Sequence, residues 1–472
     1  ASVVSCILAV LLFMAPLVFC ESLTLTAIPE ANTVSHLSQE FEVLASLVPT
    51  EDTGGKRAPL DLTIVIDTSG SMNGLPMKLT KRVLEFLTHE LAADDQVALV
   101  QYSSGVNTVL HPTKMDEQGK RTAAVKIQEL RAAGSTFLSG GLIKGAEVAS
   151  EMIQHERWSK NGEAVPIVIL MSDGYANQGL TTSQEIIAQV YSVTNTPQGS
   201  PLPFALYTFG IGNADHNLMS QLAELGNGAY FSVDSAEKIG ESLSGMVGNL
   251  FSTVAKSVKL HIQVPHDMAN RVRIQNVETL YSSHAVTPNH YEVFLGDIQV
   301  LSPRDTLITL ELSEESLNPG EYVDQPIIEV WWEGYDLLED RDTHKASPSL
   351  VTIRREYEIL TEEQAAERKA NAPPEILKHR QRIHVTQAID NAYKASSAGD
   401  FKTANQILQE AAAATTEKNL LNAITNVQQN NKPQSFLANM MEVGRQAYGG
   451  TSQSEFKSQT AKQVQQLFAK WK

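Results

Sequence analysis

Apolar runs alternate with amphipathic stretches over residues 60–255. The runs predict strands at 62–66, 96–102, 165–171 and 204–209. The run at 62–66 shows no alternation of polar and apolar residues, which predicts a strand covered on both faces. The amphipathic stretches predict helices at 77–91, 118–130, 142–153, 183–193 and 216–225, the last capped by Asp215. A segment at 106–110 follows the second strand closely and predicts an antiparallel edge strand. The predicted fold class of this region is α/β, with a doubly wound, mostly parallel sheet.

The segments on both sides of this region are shorter and rich in β-forming residues. They predict strands at 23–27 and 41–48 before it, and at 258–264, 271–277, 291–295, 306–312, 327–332 and 350–354 after it. Two leading strands are too few to form a domain of their own. We therefore predict one antiparallel β-sandwich built from both flanks, with the α/β domain inserted between its strands.

Trp331 and Trp332 are adjacent on one of these strands, so their side chains point to opposite faces. We expect one ring to fill the sandwich core and the other to lie on the outer face or at a contact between domains. A sugar-binding platform is the alternative. Packing is favoured because only Tyr335 is close enough in sequence to extend an aromatic surface.

From residue 361 onward the chain becomes polar and helical. Apolar positions recur at helical spacing over 376–393, Asp400 is suited to cap a following helix, and two more helices are predicted at 436–448 and 456–471. One helical hairpin does not establish a repeat array. The predicted domains are the leading sandwich strands at 21–57, the α/β domain at 58–255, the rest of the sandwich at 256–360 and a helical C-terminal region at 361–472.

Residues 3–19 are almost wholly apolar and predict a signal peptide or a membrane anchor within residues 1–20. A cleaved signal is favoured because a spanning helix needs about 20 apolar residues. The expected location is therefore secreted or cell-surface, with membrane association if residues 3–19 are retained. Cys6 and Cys20 are the only cysteines, so the cleaved protein would have no disulfide and no cysteine-based zinc module.

The net charge of the chain narrows the choice of partners. A formal charge of −17 argues against nonspecific nucleic-acid binding, which requires basic patches that neutralise phosphates. The same charge is compatible with cation binding but does not establish it.

Short oxygen donors cluster where the first strand of the α/β region ends. Asp67, Ser69 and Ser71 follow the buried run 62–66, and the alternate spacing through a turn can aim all three at one point. The carboxyl ends of parallel strands are where such sheets bind ligands. Carboxylate and hydroxyl oxygens are the ligands that Mg2+ prefers, in near-octahedral geometry. Asp and Ser are also ordinary turn and cap residues, so these three positions alone are a weak signal.

Two later segments strengthen the signal. Thr136 lies in a loop at the start of a helical pattern, and the buried strand 165–171 is followed by Asp173. With these segments in this order and spacing, residues 58–255 resemble the von Willebrand factor type A family. The family's metal-ion-dependent adhesion site uses five side chains from three loops. Matched position by position, the site residues implied here are Asp67, Ser69, Ser71, Thr136 and Asp173.

The resemblance implies a binding protein with a Mg2+ ion, or Mn2+ or Ca2+ in its place, at this site. At least one octahedral position would remain to be shared with an Asp or Glu carboxylate of a protein partner. Two other functions stay open. One is a structural subunit of a larger extracellular or membrane-associated assembly, held through the sandwich and the helical tail. The other is an enzyme, although His89, His155 and His216 belong to no recognisable catalytic motif.

The order of an A domain, a β region and helices also resembles some plant proteins that carry a RING module. The cysteines that a RING requires are absent from this sequence, so ubiquitin-ligase activity does not carry over.

An apolar stripe over residues 235–251 predicts the final helix of the α/β domain, leading directly into the strand at 258–264. The resemblance implies that such a helix can shift along its axis when the metal loops rearrange. A static helix is the favoured alternative, because switching requires two populated states that a sequence does not display.

Overall fold

A computed structural model describes residues 22–50, 57–154, 164–198, 200, 202–211, 214–226, 228–233, 251–279, 281–300, 302–359, 361–397, 400–415, 421 and 424–425. Over these residues an α/β domain is inserted in an antiparallel β-sandwich, and helices follow. The predicted fold class is therefore confirmed. The predicted elements at 1–20, 235–250, 436–448 and 456–471 lie outside the described residues.

The elements follow one another in three groups. The first group contains β1 (Leu23–Pro29), β2 (Thr33–Ser35) and β3 (Gln39–Pro49). The inserted domain contains β4 (Leu60–Asp67), α1 (Leu75–Glu90), β5 (Gln96–Tyr102), β6 (Val106–Lys114), α2 (Glu117–Glu129), α3 (Leu138–Gln154), β7 (Val165–Ser172), α4 (Ser183–Val193), β8 (Ala205–Ile211), α5 (His216–Leu225) and β9 (Tyr230–Val233). The last group contains β10 (Thr253–Gln263), β11 (Val272–Glu278), β12 (Ser282–Thr287), β13 (His290–Gln299), β14 (Arg304–Leu312), β15 (Tyr322–Asp336), β16 (Arg341–Glu356), α6 (Glu362–Ala370), α7 (Pro374–Ser397) and α8 (Phe401–Ala414).

The sheet of the α/β domain has the strand order β6-β5-β4-β7-β8-β9. Its strands are parallel except for β6, which pairs antiparallel with β5 at the edge as predicted. Every residue of β4 is buried, because α1 and α2 cover one face of the sheet while α3, α4 and α5 cover the other. The carboxyl ends of β4 and β7 consequently open at the same edge.

The sandwich consists of a four-stranded sheet, β1-β3-β14-β11, and a six-stranded sheet, β12-β13-β10-β15-β16-β2. Leading strands take part in both sheets: β3 pairs along the whole of β14, and β2 pairs with the end of β16. The two sheets share one apolar core, in which the Trp332 ring is fully buried. The Trp331 ring lies on the outer face of the six-stranded sheet, as expected for its neighbour in sequence.

A buried guanidinium fastens the leading flank to the strands that follow the insertion. Arg355, at the end of β16, donates hydrogen bonds to the carbonyl oxygens of Ser35, His36 and Leu37 at 2.8–2.9 Å, and to that of Ser313 at 3.1 Å. A guanidinium has five N–H donors in a fixed plane and suits this cluster of carbonyls. The loop after β2 is thereby held to a strand more than 300 residues away in sequence.

The C-terminal helices pack on the sandwich and on each other. Ile376 of α7 lies in an apolar cluster with Leu44 and Leu307 on the outer face of the four-stranded sheet, and Arg380 pairs with Glu30 and Glu42. The second half of α7 shares a separate core with α8. Asp400 caps α8 through a 3.0 Å hydrogen bond from the Thr403 amide, as predicted. No helix in the described part of the chain is both long enough and apolar enough to span a bilayer.

Charged groups come together where the α/β domain meets the sandwich; Asp61 is buried, while Lys256 and Asp297 are half-buried. Asp61 at the start of β4, Lys256 of β10 and Asp297 of β13 line a cavity of about 290 Å³. Burial raises the pKa of the Asp61 carboxyl to about 6, Asp95 adds to the rise, and Lys256 opposes it together with a hydrogen bond from Gln96. The folded protein therefore binds a proton at Asp61 more tightly than the unfolded chain does.

We expect Asp61→Asn to stabilise the fold near neutral pH and to leave it unchanged near pH 4. The stability that comes from a raised carboxyl pKa is present below the unfolded pKa of about 4 and is lost as pH rises through about 6. A rise of about two pH units at about 1.4 kcal/mol each sets an upper bound of about 3 kcal/mol. Thermal unfolding of both proteins across pH 4–8 measures the difference. A gain that is the same at every pH, or one also produced by Asp94→Asn at an exposed site, would contradict this account.

Candidate metal centre

The loop after β4 turns back over the carboxyl edge of the sheet. The Thr68 amide donates to the carbonyl of Tyr102 at 2.8 Å, and the Gly70 amide donates to the carbonyl of Gly134 at 3.0 Å. A short 3-10 turn, Gly70–Met72, then follows. These bonds hold the loop to Tyr102 at the end of β5 and to Gly134 in the segment before α3. The Ser69 amide donates to Asp67 Oδ1 at 2.8 Å, so the carboxylate is held at the base of the loop.

The predicted site residues meet above β4 and β7. Ser69 Oγ lies 3.0 Å from Ser71 Oγ, and Ser71 Oγ donates to Asp173 Oδ1 at 2.7 Å. A Cβ atom added at Gly174 would lie 3.6 Å from Ser71 Oγ and 4.0 Å from Thr136 Oγ1, which puts the Thr136 hydroxyl beside the same cluster. The three loops that were predicted from separate segments thus converge at one place.

An amide side chain that was not predicted fixes the Thr136 loop. The side-chain oxygen Asn177 Oδ1 accepts a hydrogen bond from the Thr136 backbone amide at 2.8 Å, and the Asn177 backbone amide donates to the Thr136 carbonyl at 3.2 Å. The next amide, that of Phe137, donates to the Ser103 carbonyl at 2.9 Å. Thr136 itself is buried. Its hydroxyl is therefore positioned by backbone contacts on both sides.

Asp67 is fully buried, and neutral donors surround its carboxylate. Ser172 Oγ donates to Asp67 Oδ2 at 2.8 Å, and the Tyr102 hydroxyl lies 3.3 Å from the same oxygen. Burial raises the Tyr102 pKa well above its usual value, and the charge of Asp67 adds to the rise. Tyr102 therefore remains a neutral hydrogen-bond donor, and Asp67 has no cationic side chain among these partners.

The second carboxylate experiences the charge of the first. Burial is the main cause that raises the pKa of Asp173, the Asp67 charge raises it further, and the hydrogen bond from Ser71 opposes the rise. Two carboxylates that repel one another in a partly desolvated site favour a bound cation, which offsets both the repulsion and the burial.

The spacing of the oxygens fits a small divalent ion. In an octahedral shell with metal–oxygen distances of about 2.0–2.1 Å, neighbouring oxygens are about 2.9 Å apart. The Ser69–Ser71 and Ser71–Asp173 oxygen pairs are separated by 3.0 and 2.7 Å. All five predicted side chains offer hard oxygen donors, so the chemistry of the donor set suits Mg2+, Mn2+ or Ca2+.

Of the three histidines considered for an enzymatic function, only His89 has a described side chain. His89 bonds Glu90 at the end of α1, His155 lies outside the described residues, and the side chain of His216 is not among those described. Asp215 caps α5 through a 3.0 Å bond from the Leu218 amide, and its own amide contacts the Gly174 carbonyl at 3.4 Å.

Sequence comparison identifies relatives of this region. Residues 61–244 match the model of the von Willebrand factor type A domain. Over 43% of its own length, this chain is 30% identical to protein YfbK of Escherichia coli. Over 76% of its own length, it is 22% identical to the E3 ubiquitin-protein ligase WAV3 of Arabidopsis thaliana. It is 24% identical to the inter-alpha-trypsin inhibitor heavy chain H1 of Sus scrofa over 54%. The matches span only 33%, 43% and 28% of those proteins.

Structural comparison extends the likeness beyond the matched segment. A von Willebrand factor type A protein from Catenulispora acidiphila superposes with a TM-score of 0.67, covering 91% of this chain and 97% of that one. The sequences are 16% identical, so the likeness is one of fold. The strand order, the converging loops and the family match lead to one conclusion: residues 61–244 of this chain form a von Willebrand factor type A domain.

Proposed function

We propose that the protein is a non-enzymatic, adhesion-type binding protein that requires a divalent cation. Asp67, Ser69, Ser71, Thr136 and Asp173 would hold Mg2+, or Mn2+ or Ca2+ in its place. The observation that carries this proposal is the convergence of hydroxyl and carboxylate oxygens from three separate loops, those of Ser69, Ser71, Thr136 and Asp173, above β4 and β7. When bound, the cation supplies an electrophilic centre with at least one position for an outside oxygen ligand.

The site is accessible to an outside ligand, and the ion determines the chemistry of that ligand. Ser71 and Gly70 are exposed, and the ring of Tyr175, just after Asp173, is 59% exposed, so the loop tips form an accessible rim. A carboxylate combines a hard oxygen with a negative charge and is the ligand best suited to an exposed position on such an ion. The proposed partner is therefore a protein that presents an Asp or Glu side chain.

Binding of immobilised candidate proteins in Mg2+ and in EDTA tests this function. The proposal expects binding in Mg2+, loss of binding in EDTA, and no binding by Asp67→Ala in either buffer. Binding that persists in EDTA and in Asp67→Ala would overturn it. That outcome would favour the alternative of a structural subunit held through the sandwich and the helical tail.

We also propose that the protein is exported, because residues 3–19 form an apolar run of signal-peptide length. N-terminal sequencing of the natural protein distinguishes the two forms of export. A chain that starts near Glu21 indicates a secreted protein, whereas an intact 3–19 segment indicates an anchored one. Retention of unprocessed protein in the cytoplasm would contradict export altogether.

A further inference from the structure

The outer face of the six-stranded sheet carries a polar cluster that contains no residue of the α/β domain. Residues of a strand alternate between its two faces. In β10, β13 and β15, Ile262, Val293 and Trp332 point into the sandwich core, so their neighbours point outward. Strand pairing places His261 opposite Glu292 on one side and opposite Trp331 on the other.

Two imidazoles and a carboxylate converge in this cluster. His261 Nδ1 lies 3.1 Å from His290 Nε2 and 3.8 Å from Glu292 Oε1. One ligand atom from each of these three residues lies within 4.8 Å of the other two. Around a tetrahedral Zn2+ with bonds of about 2.0–2.1 Å, neighbouring ligand atoms are about 3.3 Å apart, so small side-chain movements would close the group around an ion.

The surroundings of His261 fix its orientation. The ring stacks on Trp331 with centroids 4.9 Å apart and an interplanar angle of 1°, and its side chain is only 7% exposed. Its second nitrogen, Nε2, lies 3.4 Å from Glu333 Oε1, which is longer than a usual N–H···O hydrogen bond, so a small rotation of either side chain is needed to form one. A histidine that directs one nitrogen to a metal and the other to a carboxylate is the usual arrangement in protein metal sites, because the carboxylate orients the ring and raises its basicity.

Charge near the cluster is negative overall but partly compensated. Lys259 Nζ lies 3.3 Å from Glu333 and 3.7 Å from Glu292, and the exposed His284 lies 3.7 Å from Glu292 Oε2. Lys259 is 40% exposed and its flexible side chain can turn to solvent. It therefore competes with a bound cation but does not block one.

We propose that His261, His290 and Glu292 form a second metal site, which binds Zn2+ and is independent of the centre in the α/β domain. Imidazole and carboxylate ligands suit Zn2+, and three protein ligands leave a fourth position for water or an outside ligand. The bound ion would link β10 to β13 across the outer face of the sheet. Among the described C-terminal helices, α7 packs on the outer face of the other, four-stranded sheet.

The competing explanation is a metal-free hydrogen-bond cluster in which one neutral imidazole donates to the other across the 3.1 Å gap. Zn2+ binding by the full-length protein separates the two explanations. The parent for the test carries Asp67→Ala and Asp173→Ala, so that the centre in the α/β domain does not contribute. Calorimetric titration with Zn2+ in excess Mg2+ then reports the second site alone.

We expect the parent to bind one Zn2+ per chain. Adding His290→Ala or the near-isosteric Glu292→Gln should weaken binding by at least about tenfold, whereas His266→Ala, at an exposed histidine outside the cluster, should leave it unchanged. Zn2+ should also raise the unfolding temperature of the parent more than that of Glu292→Gln, because stabilisation by a ligand of the folded state grows with its affinity.

Two results would overturn the proposal. One is a parent that binds no Zn2+. The other is equal Zn2+ affinity in the parent, His290→Ala and Glu292→Gln. Unfolding in EDTA shows whether each variant is folded, and if His290→Ala is not, Glu292→Gln decides the outcome. Loss of the adhesion function would leave this result unaffected, since the parent already lacks that centre.

Discussion

Replacing Asp67 or Asp173 with alanine is expected to reduce Mg2+ affinity by more than about a hundredfold while the fold is retained. Loss of a residue that merely supports a metal ligand typically costs 10–100-fold, so loss of a charged ligand should cost at least that much. Asp67 is the last residue of β4 and Asp173 follows the end of β7, and the core residues of these two strands hold this end of the sheet in place. Calorimetric titration with Mg2+ measures the affinity, and circular dichroism checks the fold.

Thr136→Ala should weaken Mg2+ binding less than either Asp variant, because it removes a neutral ligand. Asp94→Ala provides the matched control: this carboxylate is exposed and precedes β5, at the opposite edge of the sheet. Mg2+ affinity in Asp67→Ala equal to that of the unchanged protein would rule out the proposed centre. An equal loss in Asp94→Ala would show that the effect is one of net charge.

The second large effect is expected from dividing the chain. A fragment of residues 58–255 should fold alone, whereas residues 256–360 alone should not fold cooperatively. The latter piece lacks β3, which pairs with β14 from Leu47–Arg304 to Gln39–Leu312. It also lacks the carbonyl groups of Ser35, His36 and Leu37, to which the buried Arg355 donates hydrogen bonds. Heteronuclear NMR spectra and thermal unfolding of the two fragments test both expectations.

A rejoined chain supplies the control for this prediction. Residues 22–50 connected to residues 252–360 by a flexible Gly/Ser linker should recover cooperative unfolding, because every leading strand returns to its place in the two sheets. Soluble, cooperative unfolding of residues 256–360 without the leading strands would show that the insertion is not needed to explain the sandwich.

The sequence predicts the elements that pattern alone determines. The bounds of β5, α4 and α5 agree with the prediction residue for residue, because each begins and ends at a clear change of hydrophobic periodicity. The three loop segments of the candidate metal centre can also be predicted from the sequence, since each is a short local motif at the end of a buried strand or the start of a helix. Their convergence follows from parallel pairing of β4 with β7.

Other features depend on contacts that local sequence does not specify. β2 has only three residues and is held by Arg355, and all six residues of β12 are exposed. Neither segment therefore shows the alternation of buried and exposed residues that predicts a strand. Ser172, which binds Asp67, precedes a predicted ligand but looks like an ordinary strand residue. Asn177 lies in a loop and was likewise missed. Both were undetectable because their roles come from hydrogen bonds across loops.

The histidine cluster was also missed, although its alternation is visible in the sequence. His261, His290 and Trp331 belong to three strands that are distant in sequence. The pairing register puts Trp331 opposite His261, and it puts His290 opposite Gln263, two residues along β10 from His261. The two-residue period shows that each side chain faces outward, but not which side chains it meets. The predicted contrast between Trp331 and Trp332 needed only that period and agrees with the structure.

Anomalous diffraction from crystals grown with Mn2+ tests the central claim most directly. Mn2+ accepts the same oxygen ligands as Mg2+ and scatters anomalously, so its position can be located without assumptions about the ligands. The account predicts a peak above β4 and β7, about 2.0–2.6 Å from Ser69 Oγ and Ser71 Oγ and adjacent to Asp173. No peak between these side chains, in crystals where Mn2+ is bound elsewhere on the protein, would contradict it.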